Sequence, residues 1–412
     1  MPILVQKFGG TSVATPEKIH QAARKVIAAH RAGYQVVVVV SAMGQTTDEL
    51  IALARQVSAQ PPKRELDQLL ATGEQVTIAL LAMAIAAQGQ EAISFTGGQI
   101  GLVTDDVHCK ARIRRIDQRR ILKELRAGRV VIVAGFQGVT PAGAVTTLGR
   151  GGSNATLVAL GAVLHAQACE NYTDVDGIFT AYPRLVPNAR KIDRISYDEM
   201  LELSSVGAGV LQTRAVEFAK KYNVPLHVRN SAHHRAGTWI IAETKAMEDI
   251  AVSGCALKKD ITRVTLKGIP DHFGVAARVF TAVAAEKVVV DDIIQTIADD
   301  HTATISFTVE HADVADLQPV VNRLTAQLGA VATYETDLAR VSAVGVGMKQ
   351  QTGVAGTMFS ALARKKINIQ NISTSEIHIS CIVAKKDGPT ALRAVHDAFG
   401  LGKKRPRLGS RF

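Results

Sequence analysis

The sequence predicts two architectures in succession: a mainly parallel α/β sheet covered on both faces, then two copies of a small α+β unit. Three observations carry the prediction. Over the first 245 or so residues, short β-branched apolar runs alternate with stretches of helical periodicity. Beyond residue 262 the chain repeats itself at an offset of 79 residues. Between these parts the composition shifts to a loop, His233-His234-Arg235-Ala236-Gly237, and a short linker.

The first strand is Ile3-Leu4-Val5. Lys7-Phe8-Gly9-Gly10-Thr11-Ser12-Val13 follows, and Pro16 opens an amphipathic helix to residue 32, with Ile19, Ala22, Ala23, Val26 and Ile27 on one face. Strand, glycine turn and helix together aim backbone N–H groups and a helix N-terminus at an anion. Glycine lets a phosphate approach the backbone closely, and Lys7 adds a mobile point charge. Taken alone, an ordinary tight turn explains the paired glycines equally well.

Further strands are expected over 36–40, 92–95, 130–134, 168–172 and 225–228, with helices over 47–58, 66–88, 115–127, 154–164, 196–203 and 208–222. In such sheets ligands gather at the carboxyl ends of strands. Five glycine or hydroxyl clusters fall there: residues 7–12, 41–47, 96–98, 146–153 and 173–177. Any one of them is explained by a turn. Together, with a lysine and an arginine among them, they favour a nucleotide and an anionic second substrate. The chain has no G-x-x-x-x-G-K-[ST], no protein-kinase H-R-D with D-F-G, and no G-x-G-x-x-G after a strand.

In the second part, Gly274-Val275-Ala276 with Phe280 recurs as Gly353-Val354-Ala355 with Phe359. Lys287-Val288-Val289-Val290 matches Lys366-Ile367-Asn368-Ile369, and Ile293 matches Ile372. Each copy reads strand, glycine loop, helix, strand, strand, helix, strand. Paired modules after a catalytic-looking domain point to regulation; a duplicated dimerisation unit is the alternative.

Composition bounds the function. A chain of 412 residues, 47% hydrophobic and 21% charged, is a soluble globular protein of two or three domains. Aromatics at 4% argue against stacking platforms for single-stranded nucleic acid. The net charge of +11 owes five charges to the acid-free tail, Lys403, Lys404, Arg405, Arg407 and Arg411, read as a solvated terminus and not a nucleic-acid arm. Cys109, Cys169, Cys255 and Cys381 are widely spaced with no C-x-x-C, which points to a reducing cytosol. No apolar leader is present, and the run over 36–40 is too short to span a bilayer, so a cytoplasmic location without membrane contact is expected.

The stretches Gln6-Lys7-Phe8-Gly9-Gly10-Thr11-Ser12, Ser41-Ala42-Met43-Gly44, Ala71-Thr72-Gly73-Glu74, Ser94-Phe95-Thr96-Gly97, Val133-Ala134-Gly135-Phe136-Gln137-Gly138, Thr147-Leu148-Gly149-Arg150-Gly151-Gly152-Ser153 and Tyr172-Thr173-Asp174-Val175-Asp176-Gly177 resemble those of aspartokinases. So do Met200-Leu201-Glu202-Leu203 and Ile372-Ser373-Thr374-Ser375-Glu376-Ile377. The resemblance runs in order along nearly the whole chain. It implies a three-layer amino-acid-kinase-like domain over 1–245, a linker and first strand over 246–263, ferredoxin-like ACT modules over 264–337 and 338–400, and a basic tail over 401–412.

The resemblance further implies transfer of the γ-phosphoryl group of ATP to the β-carboxylate of L-aspartate, giving 4-phospho-L-aspartate, the first step toward lysine, threonine and methionine. A carboxylate with a free pKa of about 4 needs no general base at neutral pH. The task is to hold two anions together. By likeness, Lys7, Gly9, Gly10, Ser12 and Ser41 meet phosphate, and Thr173, Asp174, Phe179, Arg184 and Gly209 line the nucleotide. Glu74 pairs the substrate ammonium and Arg150 its α-carboxylate, with Thr47, Gly151, Gly152 and Ser153 nearby. Mg²⁺ arrives mostly through ATP oxygens and water, without a dedicated protein cage. Lysine, threonine or both are the implied effectors, met by Gly274, Val275, Ala276, Gln295 and Asn368, and the modules imply a homodimer or larger assembly. Met247 is placed to start a separate regulatory chain, as in some relatives.

The sequence departs from the family pattern on the ATP side. Asn154 stands where a catalytic aspartate is expected, Phe179 for a tyrosine, Tyr182 for an aspartate, Gly209 for a lysine, and Asn171 for an apolar residue. These departures support an alternative, an effector-binding pseudokinase or regulatory subunit with weak or no catalysis. A kinase of another carboxylate or carbamate is a third reading. The stretches at 71–74 and 149–153, with the two repeats, favour aspartate.

Overall fold

The computed structural model describes residues 1–403 apart from 150, 208–210, 245–246, 248–249 and 299–300. The chain divides into two compact units. One comprises Met1–Phe179, Lys191–Ser204 and Gly209–Met247, and the other Thr180–Arg190, Ser205–Ala208 and Glu248–Phe412.

In the first unit the chain runs β1 (Ile3–Phe8), α1 (Pro16–Arg31), β2 (Gln35–Val40), α2 (Thr46–Val57), α3 (Lys63–Ala86), β3 (Ala92–Phe95), β4 (Val103–Thr104), β5 (Ile113–Arg115), α4 (Arg119–Arg126), β6 (Val130–Ala134), β7 (Gln137–Val139), β8 (Val145–Thr147), α5 (Gly152–Val163), β9 (Ala168–Thr173), β10 (Arg194–Ser196), α6 (Tyr197–Ser205), α7 (Thr213–Lys221), β11 (Leu226–Asn230) and β12 (Thr238–Ile241). Eight strands form one sheet in the order β10-β12-β11-β9-β1-β2-β6-β3. Every pairing in it is parallel except β11 with β12.

The five valines of β2 are fully buried, as an unbroken β-branched run must be when helices cover both faces. Phe8, Val36, Val38, Val40 and Ile132 pack on one face with Ile19 and Val26 of α1 and Ile78 and Leu81 of α3. On the opposite face α5 lies against β1, β2 and β9. Gly161 permits that approach, because a Cβ there would stand 2.2 Å from Cys169 Sγ.

Helix α3 is long and apolar enough to cross a membrane by length and composition. Its buried face nevertheless carries Asp67 and Glu74 beside Leu70, Leu81 and Ile85, the pattern of a core helix. The helix expected over 115–127 starts later, at Arg119, because 113–115 is a strand. That strand belongs to a small sheet, β5-β4-β7-β8, which the sequence does not announce: strands of two or three residues have no period to read. The helix expected over 208–222 begins at Thr213 within the described residues.

In the second unit the elements are β13 (Gly254–Pro270), α8 (Val275–Ala285), β14 (Asp291–Ile297), β15 (Thr302–Glu310), α9 (Val314–Leu328), β16 (Val331–Val344), α10 (Val354–Arg364), β17 (Asn371–Thr374), β18 (His378–Ala384) and α11 (Gly388–Ala398). They build one six-stranded antiparallel sheet, β14-β15-β13-β16-β18-β17. The repeat is visible in the backbone: Gly274 and Gly353 cap α8 and α10 with φ of 88° and 84°.

The two copies share their long strands. Val264, Leu266 and Ile269 of β13 enter the first core, whereas Cys255 of β13 enters the second with Val341 and Ala343 of β16. Register slips between Lys258 and Arg263 mark the handover. The second copy therefore closes with a strand from ahead of the first. This corrects the expectation that each copy ends in its own strand. The second core also takes in Ala181 and Val186, so a chain starting at Met247 would lack part of it.

Candidate active site

Strands β9, β1, β2 and β6 lie side by side and parallel, so their carboxyl ends release loops along one edge. The Gly9 N–H donates to the Tyr172 carbonyl at 3.2 Å, and the Gly44 N–H to the Gly10 carbonyl at 3.0 Å. A Cβ on Gly10 would stand 2.9 Å from the Ala42 carbonyl oxygen, so only glycine lets these two loops touch. Ser12 Oγ donates to the Tyr172 carbonyl at 3.5 Å, and Ser41 Oγ to Ser153 Oγ at 3.0 Å. From α3, Glu74 Oε1 accepts the Ala42 N–H at 3.0 Å. These bonds link the β1 loop, the β2 loop, α3 and the start of α5.

Lys7 pairs in register with Asn171 of β9, which sends both side chains to the face that α5 covers. Asn154 lies in the first turn of α5. A Cβ on Gly9 would be 3.4 Å from Lys7 Nζ, so the ammonium lies beside the glycine loop. Lys7 is only 8% exposed, and burial lowers its pKa from 10.5 to about 8. Glu74 is pushed the other way: burial raises it to about 7 against the lowering effect of the Ala42 N–H.

Three oxygens here, Glu74 Oε2, Asn154 Oδ1 and Asn171 Oδ1, are buried without a hydrogen-bond partner. Each such atom costs about 1–3 kcal/mol. The cluster is therefore poised for a ligand that brings anionic oxygens to Lys7 and donors to Glu74.

Most of the chain matches known families. Residues 2–230 match the amino acid kinase family, and 263–329 and 341–399 each match the ACT domain. The aspartokinase of Pseudomonas aeruginosa is 51% identical over 97% of this chain and 98% of its own length. The chain belongs to the aspartokinase family. Aspartokinase 2 of Bacillus subtilis is likewise 51% identical, over 98% of this chain and 99% of its own length. The fold superposes on E. coli aspartokinase III in complex with aspartate and ADP (R-state), with a TM-score of 0.83, 25% identity and coverage of 96% and 99%.

Within this aspartokinase frame the other expected residues fall as follows. Thr47 is half-buried in the first turn of α2, and Gly151 caps α5 with φ of 74° ahead of Gly152. At the end of β9, Thr173 Oγ1 donates to Asp174 Oδ1 at 3.1 Å. Phe179 is half-buried and bridges Lys191. Arg184 is an exposed residue of the second unit. Arg150 and Gly209 lie outside the described residues. Gly274, Val275, Ala276 and Gln295 belong to the first ACT copy, at the start of α8 and on β14, while Asn368 precedes β17 in the second. Among the described residues no three His, Cys, Asp or Glu side chains converge on a metal position.

One supporting residue escapes the sequence reading. Asp67 is fully buried and accepts from Thr147 Oγ1 at 2.5 Å and from the Cys109 N–H at 3.1 Å, with His108 Nδ1 at 2.7 Å. It anchors the strand that leads into the loop before α5. The available signal is spacing: Asp67 and Glu74 are seven residues apart, on the buried, mostly apolar face of α3.

Proposed function

We propose that this aspartokinase transfers the γ-phosphoryl group of ATP to the β-carboxylate of L-aspartate, forming 4-phospho-L-aspartate and ADP. The observation that carries the site assignment is the buried Lys7 ammonium beside Gly9, on the sheet face that also carries Asn171 and is covered by the helix of Asn154, whose side-chain oxygens are buried without partners. In this reading Lys7 spans the transferred phosphoryl group, and the backbone of Gly9 and Gly10 with Ser12 and Ser41 holds the phosphate oxygens. Glu74 accepts the substrate ammonium and Arg150 forks its α-carboxylate, with Thr47 and residues 151–153 shaping the pocket. Thr173, Asp174 and Phe179 line the nucleotide. Mg²⁺, when bound with ATP, would neutralise charge on the phosphates.

Asn154 preserves an acceptor for Lys7 without the carboxylate charge. The pseudokinase alternative is not favoured, since relatives about half identical along nearly the full chain are kinases. The assay is direct: purified protein with Mg·ATP and aspartate, the acyl phosphate trapped by hydroxylamine. The expected result is hydroxamate well above a Lys7→Ala control, and equality with that control overturns the assignment. Asn154→Asp is expected to raise the rate by about tenfold or more, the weight of one charge-assisted contact.

The ACT copies would bind lysine or threonine and lower activity. Exposed apolar residues on the edge strand β14, with Ile293 52% and Ile297 64% exposed, support pairing of chains along that strand. A related structure, aspartokinase III with lysine and aspartate in the T-state, shares the fold with a TM-score of 0.76 and 26% identity. A cytoplasmic place of action completes the reading.

A further inference from the structure

We propose that the first unit carries a second small-molecule site, on the sheet face opposite Lys7, which binds a small monocarboxylate with an apolar body. Neighbours in a strand point to opposite faces. Gln6 therefore turns away from the Lys7 side and lines a cleft of about 540 Å³ between α1 and strands β9, β11 and β12. That volume lies within the range of small-ligand pockets.

The charge in the cleft is unbalanced. Lys25, only 7% exposed, donates to the His233 carbonyl at 2.9 Å, and Arg229 Nη1 donates to Glu170 Oε1 at 2.7 Å. Both cations also stand over the Tyr172 ring, at 5.3 and 5.5 Å from its centre. One carboxylate, Glu170, faces the two. It already takes the Gln6 amide and the Tyr172 hydroxyl at 2.9 Å each. Burial and then the neighbouring Arg229 lower the Lys25 pKa, and Lys25 first among several causes lowers that of His234 at the rim. The cleft holds one positive charge in excess, in a partly enclosed, weakly screened place.

A monoanion satisfies that excess, and a carboxylate fits the flat fork of Arg229. Leu4, Ala28, Ala29 and Tyr34 supply apolar wall on the α1 side. The Gln6 amide is oriented by Glu170, which leaves its Oε1 as a buried acceptor without a partner in the floor. Nothing in the phosphate loops or Glu74 takes part, so the inference stands apart from the kinase assignment.

Trp239 makes the test specific. It lines the cleft, stacks on His227 at 4.0 Å between ring centres, and is the only tryptophan in the chain. The full chain, without ATP or aspartate, is titrated with phenylacetate while tryptophan fluorescence is followed. Phenylacetamide and inorganic phosphate serve as separate probes. A saturable change with phenylacetate is expected, at least about tenfold weaker for the uncharged amide. Arg229→Gln should remove it by charge. Ala28→Phe, at an exposed helix position on the cleft wall, should remove it by filling the space, with circular dichroism unchanged. Linear quenching by phenylacetate, equal affinity for the amide, saturation by phosphate alone, or binding that survives Ala28→Phe would each overturn the proposal. None of these outcomes bears on hydroxamate formation, so the two readings fail separately.

Discussion

Lys7 and Glu74 share one physical situation: each is buried before its partner arrives. The Lys7 pKa of about 8 means that the free enzyme loses this cation as pH rises through that value. Measured kcat/KM should fall along the same limb, while the limb in kcat lies at higher pH because bound phosphate stabilises the ammonium. A kcat/KM profile flat up to pH 10 would remove Lys7 from the reaction. Glu74, raised to about 7 by burial, adds stability that is complete below its ordinary pKa of 4.5 and lost as pH rises through 7. Glu74→Gln should flatten that pH dependence of the melting temperature. Aspartate binding near pH 6 should release a proton as the ammonium docks, read by calorimetry in buffers of different ionisation enthalpy. Identical heats after correction in every buffer would detach Glu74 from the ammonium.

The longer strands and helices of the first unit were legible from their period, whereas β10 and β12 of its main sheet were missed, β12 lying where a linker was expected. The valines of β2 and the apolar face of α1 announce themselves, and both elements lie within a residue of their expected ends. The strands β4, β5, β7 and β8 were silent because side-chain alternation cannot show in two or three residues. The Asp67 network was silent for another reason: its partners Thr147, His108 and Cys109 sit far along the chain, and burial of an aspartate is a tertiary event. Packing of α5 on β9 gives a sharp test of the element that carries Asn154. Gly161→Ala places a methyl 2.2 Å from Cys169 Sγ, and overpacking of this kind costs about 1–3 kcal/mol. A lower melting temperature is expected, regained in Gly161→Ala with Cys169→Ala. No change in the single variant would mean that α5 approaches the sheet less closely than described.

Across the chain, the order of motifs identifies the family and the pairing of strands explains how its regulatory half is built. Lysine or threonine should raise the melting temperature of the full chain through the ACT copies, and no shift with either would count against an effector site there. The 79-residue repeat was readable in sequence because both copies reuse the same glycine, helix and strand spacing. The sharing of β13 and β16 was not, since an exchange of strands leaves each local pattern intact. Gly254 pairs with Val344 across ninety residues of chain. During synthesis the front of β13 therefore emerges with its edge open, and it waits until the first copy has been made before its partner exists. The helix α11 packs on β13, so a truncation that removes α11 leaves the earliest-made strand of this half uncovered and open to proteolysis or aggregation.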